Sequence, residues 1–189
     1  MEIANRIAFK EWAVICRALA EGAQAIILRK GGIHEGREGF RVEHREFWLF
    51  PTQFHQQPQQ LVPTAEPIWQ RTIADPPATG TIPISHFVEV EQVHEISDES
   101  ALDRLAGIHI WSQTTLVERF HYRRPGLFLL LARVFRIPTP FVLADTPYFA
   151  GCRSWVELPE AIPTAGATPV VSDNQFAAMR EAVTRALSQ

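Results

Sequence analysis

The residues best suited to chemistry sit between two short apolar runs, residues 24–29 and 47–50. Residues 30–46 mix glycines with charged side chains. A strand that ends at Lys30 and turns through Gly31 and Gly32 leaves backbone N–H groups free to converge on an anion beside an ammonium. Arg37 and Arg41 add guanidiniums suited to phosphate. No Gly-Lys-Ser/Thr follows, so this is not a Walker loop, and it is not a dinucleotide fingerprint. Within the same stretch Glu35, Glu43 and His44 are candidates for general acid/base work, and His34 and His44, with His55 just past the next apolar run, are weak candidates for metal ligation. No spacing matches a metal motif, and no metal site is expected. The competing reading is a solvated hairpin whose charges pair with one another.

A second group follows His109-Ile110-Trp111, where Arg119, Arg123 and Arg124 interleave with Phe120, His121 and Tyr122. Guanidiniums beside aromatic rings provide both charge and stacking surface, as single-stranded nucleic acid requires. Trp111 and Tyr122 are the stacking candidates there, and core packing is the alternative. A third group is Gly151-Cys152-Arg153-Ser154-Trp155. It offers Arg153 to an anion, Trp155 to a base, and a thiol at Cys152 that nothing in the sequence marks as activated.

The composition narrows the classes. The chain has 189 residues with a formal charge of −3, 46% hydrophobic and 21% charged. It therefore builds a core without metal or disulfide, and no bulk charge points to a polyanion, although a local basic patch remains open. Cys16 and Cys152 read as reduced thiols. No basic segment precedes an apolar core at the start, and no apolar run approaches the roughly 20 residues of a membrane span. A cytoplasmic location and no membrane partner are expected. No cofactor is indicated.

Apolar spacing predicts a helix from Phe9 to Ala20, closed by Gly22. Strands are predicted at residues 24–29, 47–50, 86–93, 127–137 and 155–158. Residues 51–83 hold seven prolines and a run of glutamines and read as one long connection, with Ile68-Trp69 as an anchor. Ser97 caps a short helix, and Thr114 or Thr115 caps another through Phe120. Ser172 and Gln175 form a capping box for a terminal helix. The order is α+β, with a mixed, mainly antiparallel sheet or small barrel and helices at both ends. One domain is expected over residues 1–160, followed by a linker and a packed helix over 161–189.

Several short motifs occur in order: Phe9-Lys10-Glu11-Trp12-Ala13, Leu28-Arg29-Lys30-Gly31-Gly32-Ile33, Phe47-Trp48-Leu49-Phe50-Pro51-Thr52 with His55-Gln56, His109-Ile110-Trp111, Arg119-Phe120-His121-Tyr122-Arg123 and Gly151-Cys152-Arg153-Ser154-Trp155. Together they resemble the DUF1802 family of bacteria and archaea. The resemblance implies no activity; some members carry an Mrr-type nuclease domain, which implies a link to restriction or nucleic-acid handling. The order of elements from His86 onward is also similar to PUA-like domains of the ASCH and EVE type, which implies a small barrel that binds RNA or modified bases. Three functions stay open: a nucleic-acid or nucleotide binding module, an acid/base- or metal-dependent enzyme on a phosphorylated substrate, and an adaptor for a protein partner.

Overall fold

The computed structural model describes residues 2–30, 42–54, 56–151 and 153–188. Its first element corrects the sequence reading. Strand β1 runs Ala4–Trp12, and helix α1 only begins at Ala13 and ends at Ala20. Phe9 and Trp12 match a helical spacing, but β1 lies between two other strands, in register from Ala8↔Trp48 to Trp12↔Thr52 on one side and Phe9↔Trp155 on the other. A strand covered on both faces shows no alternation, so local pattern cannot separate it from a helix. Gly22, at φ +69°, closes α1. Its N–H reaches Leu19 and that of Ala23 reaches Ala18, the paired bonds of a Schellman end.

The remaining strands are β2 (Ile26–Arg29), β3 (Glu46–Thr52), β4 (Thr81–Ile96), β5 (Leu127–Ala144), β6 (Trp155–Pro163) and β7 (Thr168–Pro169). The sheet order is β2-β5-β4-β3-β1-β6, with β7 on β5. Among the described residues only the β1–β3 pair is parallel. The fold is therefore α+β with a mainly antiparallel sheet, as expected, and its order is open, with β2 and β6 at the ends. Side chains join these ends: Arg29 at the close of β2 donates to Ser154 Oγ, one residue before β6, at 2.7 Å.

Two further readings needed correction. Residues 51–83 do not form one irregular connection, because helix α2 (Glu66–Ala74) forms there with Pro67 in its first turn, where a missing N–H costs nothing. Ile68 and Thr72 face inward from it. Pro138 and Pro140 do not close β5. They sit where the β4–β5 register jumps from His86↔Arg136 to Ile84↔Phe141, a break at which the ladder needs no N–H. The remaining helices are α3 (Ser100–Arg104), α4 (Gln113–His121) and α5 (Asp173–Leu187). Ser97 does not cap α3: Glu99 precedes the helix without a side-chain cap, and Asp98 Oδ1 accepts the Ser100 N–H at 3.0 Å, while Ser112 rather than Thr114 or Thr115 caps α4. Ser172 and Gln175 form the capping box on α5.

The sheet is apolar on both faces. Along β3, Phe47 and Leu49 enter a core under the helices, while Trp48 and Phe50 enter a second core with Phe87, Phe149 and Val156. This is the period-two alternation of a strand. Each large side chain so buried contributes about 1.5–3 kcal/mol. The helical core also takes Leu102 and Leu105, Leu116 and Phe120 from α4, and Phe176 and Val183 from α5. That packing fixes α4 against the ends of β1 and β2.

Candidate functional site

A cleft of about 1460 Å³ opens where the end of β1, the end of β2, α4 and residues 147–153 meet. Lys10, Glu11 and Trp12 line it from β1, Arg29 and Lys30 from β2, Arg119 and Tyr122 from α4, and Gly151 and Arg153 from the last loop. Arg17, Glu21, Asp75, Arg136 and Asp145 lie further along its walls. Among the described residues it is lined by seven cationic side chains and four carboxylates, in a chain whose net charge is −3. The cleft therefore carries more cationic than anionic side chains although the chain as a whole is net negative.

The floor holds a buried charge cluster. Glu11 is 2% exposed. Its Oε1 accepts from the Trp12 N–H at 2.7 Å, while Oε2 lies 3.7 Å from Arg29 Nη1 and has no hydrogen-bond partner among the described residues. Arg29 donates to Ser154 and packs 5.0 Å from the Phe9 ring centre, and its Nε is buried without a partner. Arg119 sits in a notch between two tilted indoles, 3.8 Å from the Trp111 ring centre and 4.8 Å from that of Trp12, the rings themselves being 4.7 Å apart. Burial pushes the Arg119 guanidinium down to about 10, Glu11 raises it again and Arg29 opposes that, so the group stays charged at neutral pH. Buried polar atoms are nearly always paired in folded proteins. Unpaired ones on the floor of a cleft are a common mark of a binding site.

The structure gives Lys30 a different task from the one its sequence position suggests. Its ammonium donates to the carbonyls of Phe120 (2.9 Å), Gly126 (2.6 Å) and Arg124. An ammonium has three N–H donors, and these three bonds use them to close the end of α4. Lys10 is likewise engaged, donating to the carbonyls of Phe149 and, at 3.1 Å, Gly151. It thereby ties the last loop to β1. Arg153 donates to the Tyr148 carbonyl at 2.8 Å and remains exposed on the rim.

The aromatic candidates divide. Tyr122 is 47% exposed and lines the cleft. Trp111 is 1% exposed and covered by Arg119, so it supports a guanidinium rather than a base. Trp155 packs edge-on against Phe9, Phe47 and His44 at 4.8, 5.1 and 5.2 Å. His44 and Glu43 line a separate, smaller hollow of about 540 Å³ near Glu2 and Arg6, away from the cleft. Arg123 folds over the Tyr122 ring at 5.2 Å with φ +64°, and like Arg124 it is exposed beyond the cleft lining. The candidates Gly31, Gly32, His34, Glu35, Arg37, Arg41, His55 and Cys152 lie outside the described residues. Among the described residues no group of three or more His, Cys, Asp or Glu could hold a metal ion, and no helix is long and apolar enough to cross a membrane.

One pair on the wall invites a catalytic reading and does not support it. Ser85 Oγ lies 2.8 Å from His86 Nδ1, and Arg136 Nε points at His86 Nε2 from 3.3 Å. A guanidinium can only donate, so Nε2 carries the lone pair and Nδ1 the proton. In that tautomer His86 donates to Ser85 and cannot take its proton. Burial, with Arg136 adding to it, lowers His86 to about 4.

Sequence reasoning passed over Glu11, Trp12 and Arg29. A Lys-Glu pair inside an otherwise apolar strand is the signal, and reading Phe9 to Ala20 as a helix hides it.

Comparison with known proteins adds a family and a set of structural neighbours. No curated protein matches the sequence. Crystal structures of an ASCH protein from Zymomonas mobilis overlay on the chain. One mutant form gives a TM-score of 0.48 at 13% identity, covering 82% of this chain and 90% of that one, and the parent protein gives 0.48 at 14% identity, covering 82% and 87%. A second mutant gives 0.45 at 10% identity, covering 96% and 98%. At these scores the likeness carries no weight for what the chain binds. The model of a domain of unknown function, DUF1802, matches residues 8–182, nearly the whole length, and the chain belongs to that family.

Proposed function

We propose that this protein is a nucleic-acid or nucleotide binding module whose cleft takes phosphate groups on Arg29 and Arg119. The observation that carries this reading is convergence. Residues more than a hundred positions apart, from Arg29 through Arg119 and Tyr122 to Arg153, meet on one concave surface with an excess of cations. Tyr122 supplies an exposed ring for a base, and Arg119 supplies a guanidinium held in place by aromatic faces. Arginine suits this task because its planar fork matches two oxygens of one phosphate. The test is fluorescence anisotropy with labelled single-stranded RNA, single-stranded DNA and duplex DNA at low salt. Binding to at least one, weakened in an Arg119→Met variant, is expected. No binding to any of the three contradicts the proposal.

The acid/base reading gains nothing from the described geometry, since Glu43 and His44 face a different hollow from the basic cleft.

A further inference from the structure

Resting on that proposed function, we infer that the floor formed by Glu11, Arg29 and Arg119 selects a singly charged phosphodiester over the doubly charged phosphate of a chain end or free mononucleotide. The inference comes from the charges that are fixed there and those that are not free to respond.

Arg119 presents its donors to the cleft. Its guanidinium lies against Trp111 and Trp12, and none of its nitrogens has a hydrogen-bond partner among the described residues. Glu11 lines the same floor but cannot swing out. Its carboxylate is 1% exposed, with Oε1 held by the Trp12 N–H and Oε2 beside Arg29. Two guanidiniums and one carboxylate leave one positive charge. A phosphodiester, with one negative charge, neutralises it. A phosphomonoester carries close to two at neutral pH, and the second falls beside a buried carboxylate where little water screens it. Lys10 and Lys30 keep their positive charges, but their donors are taken by backbone carbonyls, so neither offers a hydrogen bond to a second anionic oxygen.

The decisive comparison uses adenosine 5′-monophosphate and its O-methyl ester, which differ by one methyl group and one charge. Each competes a labelled oligonucleotide off the protein at pH 7.5. The methyl ester is expected to compete at about tenfold lower concentration, the scale of one like-charge contact in a partly buried site. Glu11→Gln is expected to bring the two to within about twofold. Equal or tighter competition by the monophosphate on the wild-type protein overturns the inference, and that ratio decides even if the variant does not fold. An unchanged ratio in a folded Glu11→Gln variant overturns it too. If the oligonucleotide binds but neither small ligand competes at millimolar concentration, the floor does not select an isolated phosphate and this inference fails, while the oligonucleotide binding still supports the proposed function. If the oligonucleotide itself does not bind, the proposed function fails with it.

Discussion

Glu11 Oε2 lies 3.7 Å from Arg29 Nη1, although in the sheet β1 and β2 are separated by β3, β4 and β5. The contact exists because the sheet curls until its two ends face each other, and Arg29 also reaches Ser154 across the same gap. One guanidinium therefore both braces the fold and lines the cleft.

That double role predicts an asymmetry. Arg29→Met strands a carboxylate that is almost wholly buried and is expected to cost about 3–5 kcal/mol of stability. Glu11→Gln leaves Arg29 its bond to Ser154 and is expected to cost about 1–2 kcal/mol. Urea unfolding of the two variants measures this, and a larger loss for Glu11→Gln would contradict the assignment.

Lys30 and Arg119 separate by a different pair of readouts. Lys30→Met removes three bonds to carbonyls in the last turn of α4 and the segment after it, and a stability loss of about 1–3 kcal/mol is expected. The salt dependence of oligonucleotide binding should not change. Arg119→Met is expected to lower the slope of log affinity against log salt by about 1. A reduced slope for Lys30→Met would return that residue to the phosphate contacts.

Much of the fold was readable because its signals are local. The Ser172 and Gln175 capping box needs only four residues, and the apolar run of β5 needs no partner to be recognised. The first strand was not readable, since its state depends on β3 and β6 far along the chain. The same holds for the site. Arg29 and Lys30 are neighbours with the same charge and both line the cleft, and only the position of three carbonyls near residue 124 shows that the Lys30 donors are taken. The aromatic signal at Trp111 was real, but its task is to hold Arg119.

Acid is expected to weaken the protein through His109. The ring is 6% exposed, and burial lowers it to about 4 against a weaker opposing pull from the Trp111 backbone. The unfolded chain takes up that proton near the ordinary value of 6.5 and the folded chain does not. Stability is therefore full above about pH 6.5 and falls as pH drops toward 4, by roughly 3 kcal/mol from this residue. His86 acts in the same direction. Urea midpoints at pH 7 and pH 5 check it, and a His109→Phe variant that folds should show a shallower decline. Equal declines in both proteins would exclude His109 as the cause.

Two glycines should respond differently to alanine. Gly80 has φ +73° and nothing within 4 Å of an added Cβ, so the substitution is expected to cost only the left-handed backbone, about 1–2 kcal/mol. At Gly22, with φ +69°, the same Cβ would collide with Val171 Cγ1, and a distinctly larger loss is expected. Thermal unfolding of the two variants compares them directly. Equal losses would mean that the α1 end does not pack against Val171 as described.

The most direct test of the central claim is a salt titration of single-stranded oligonucleotide binding to the wild-type protein and to Arg119→Met. A basic cleft that grips phosphates predicts affinity falling linearly in log–log form, with a shallower line for the variant. Absence of binding at low salt, or binding equally strong and equally salt-dependent in both proteins, would contradict it.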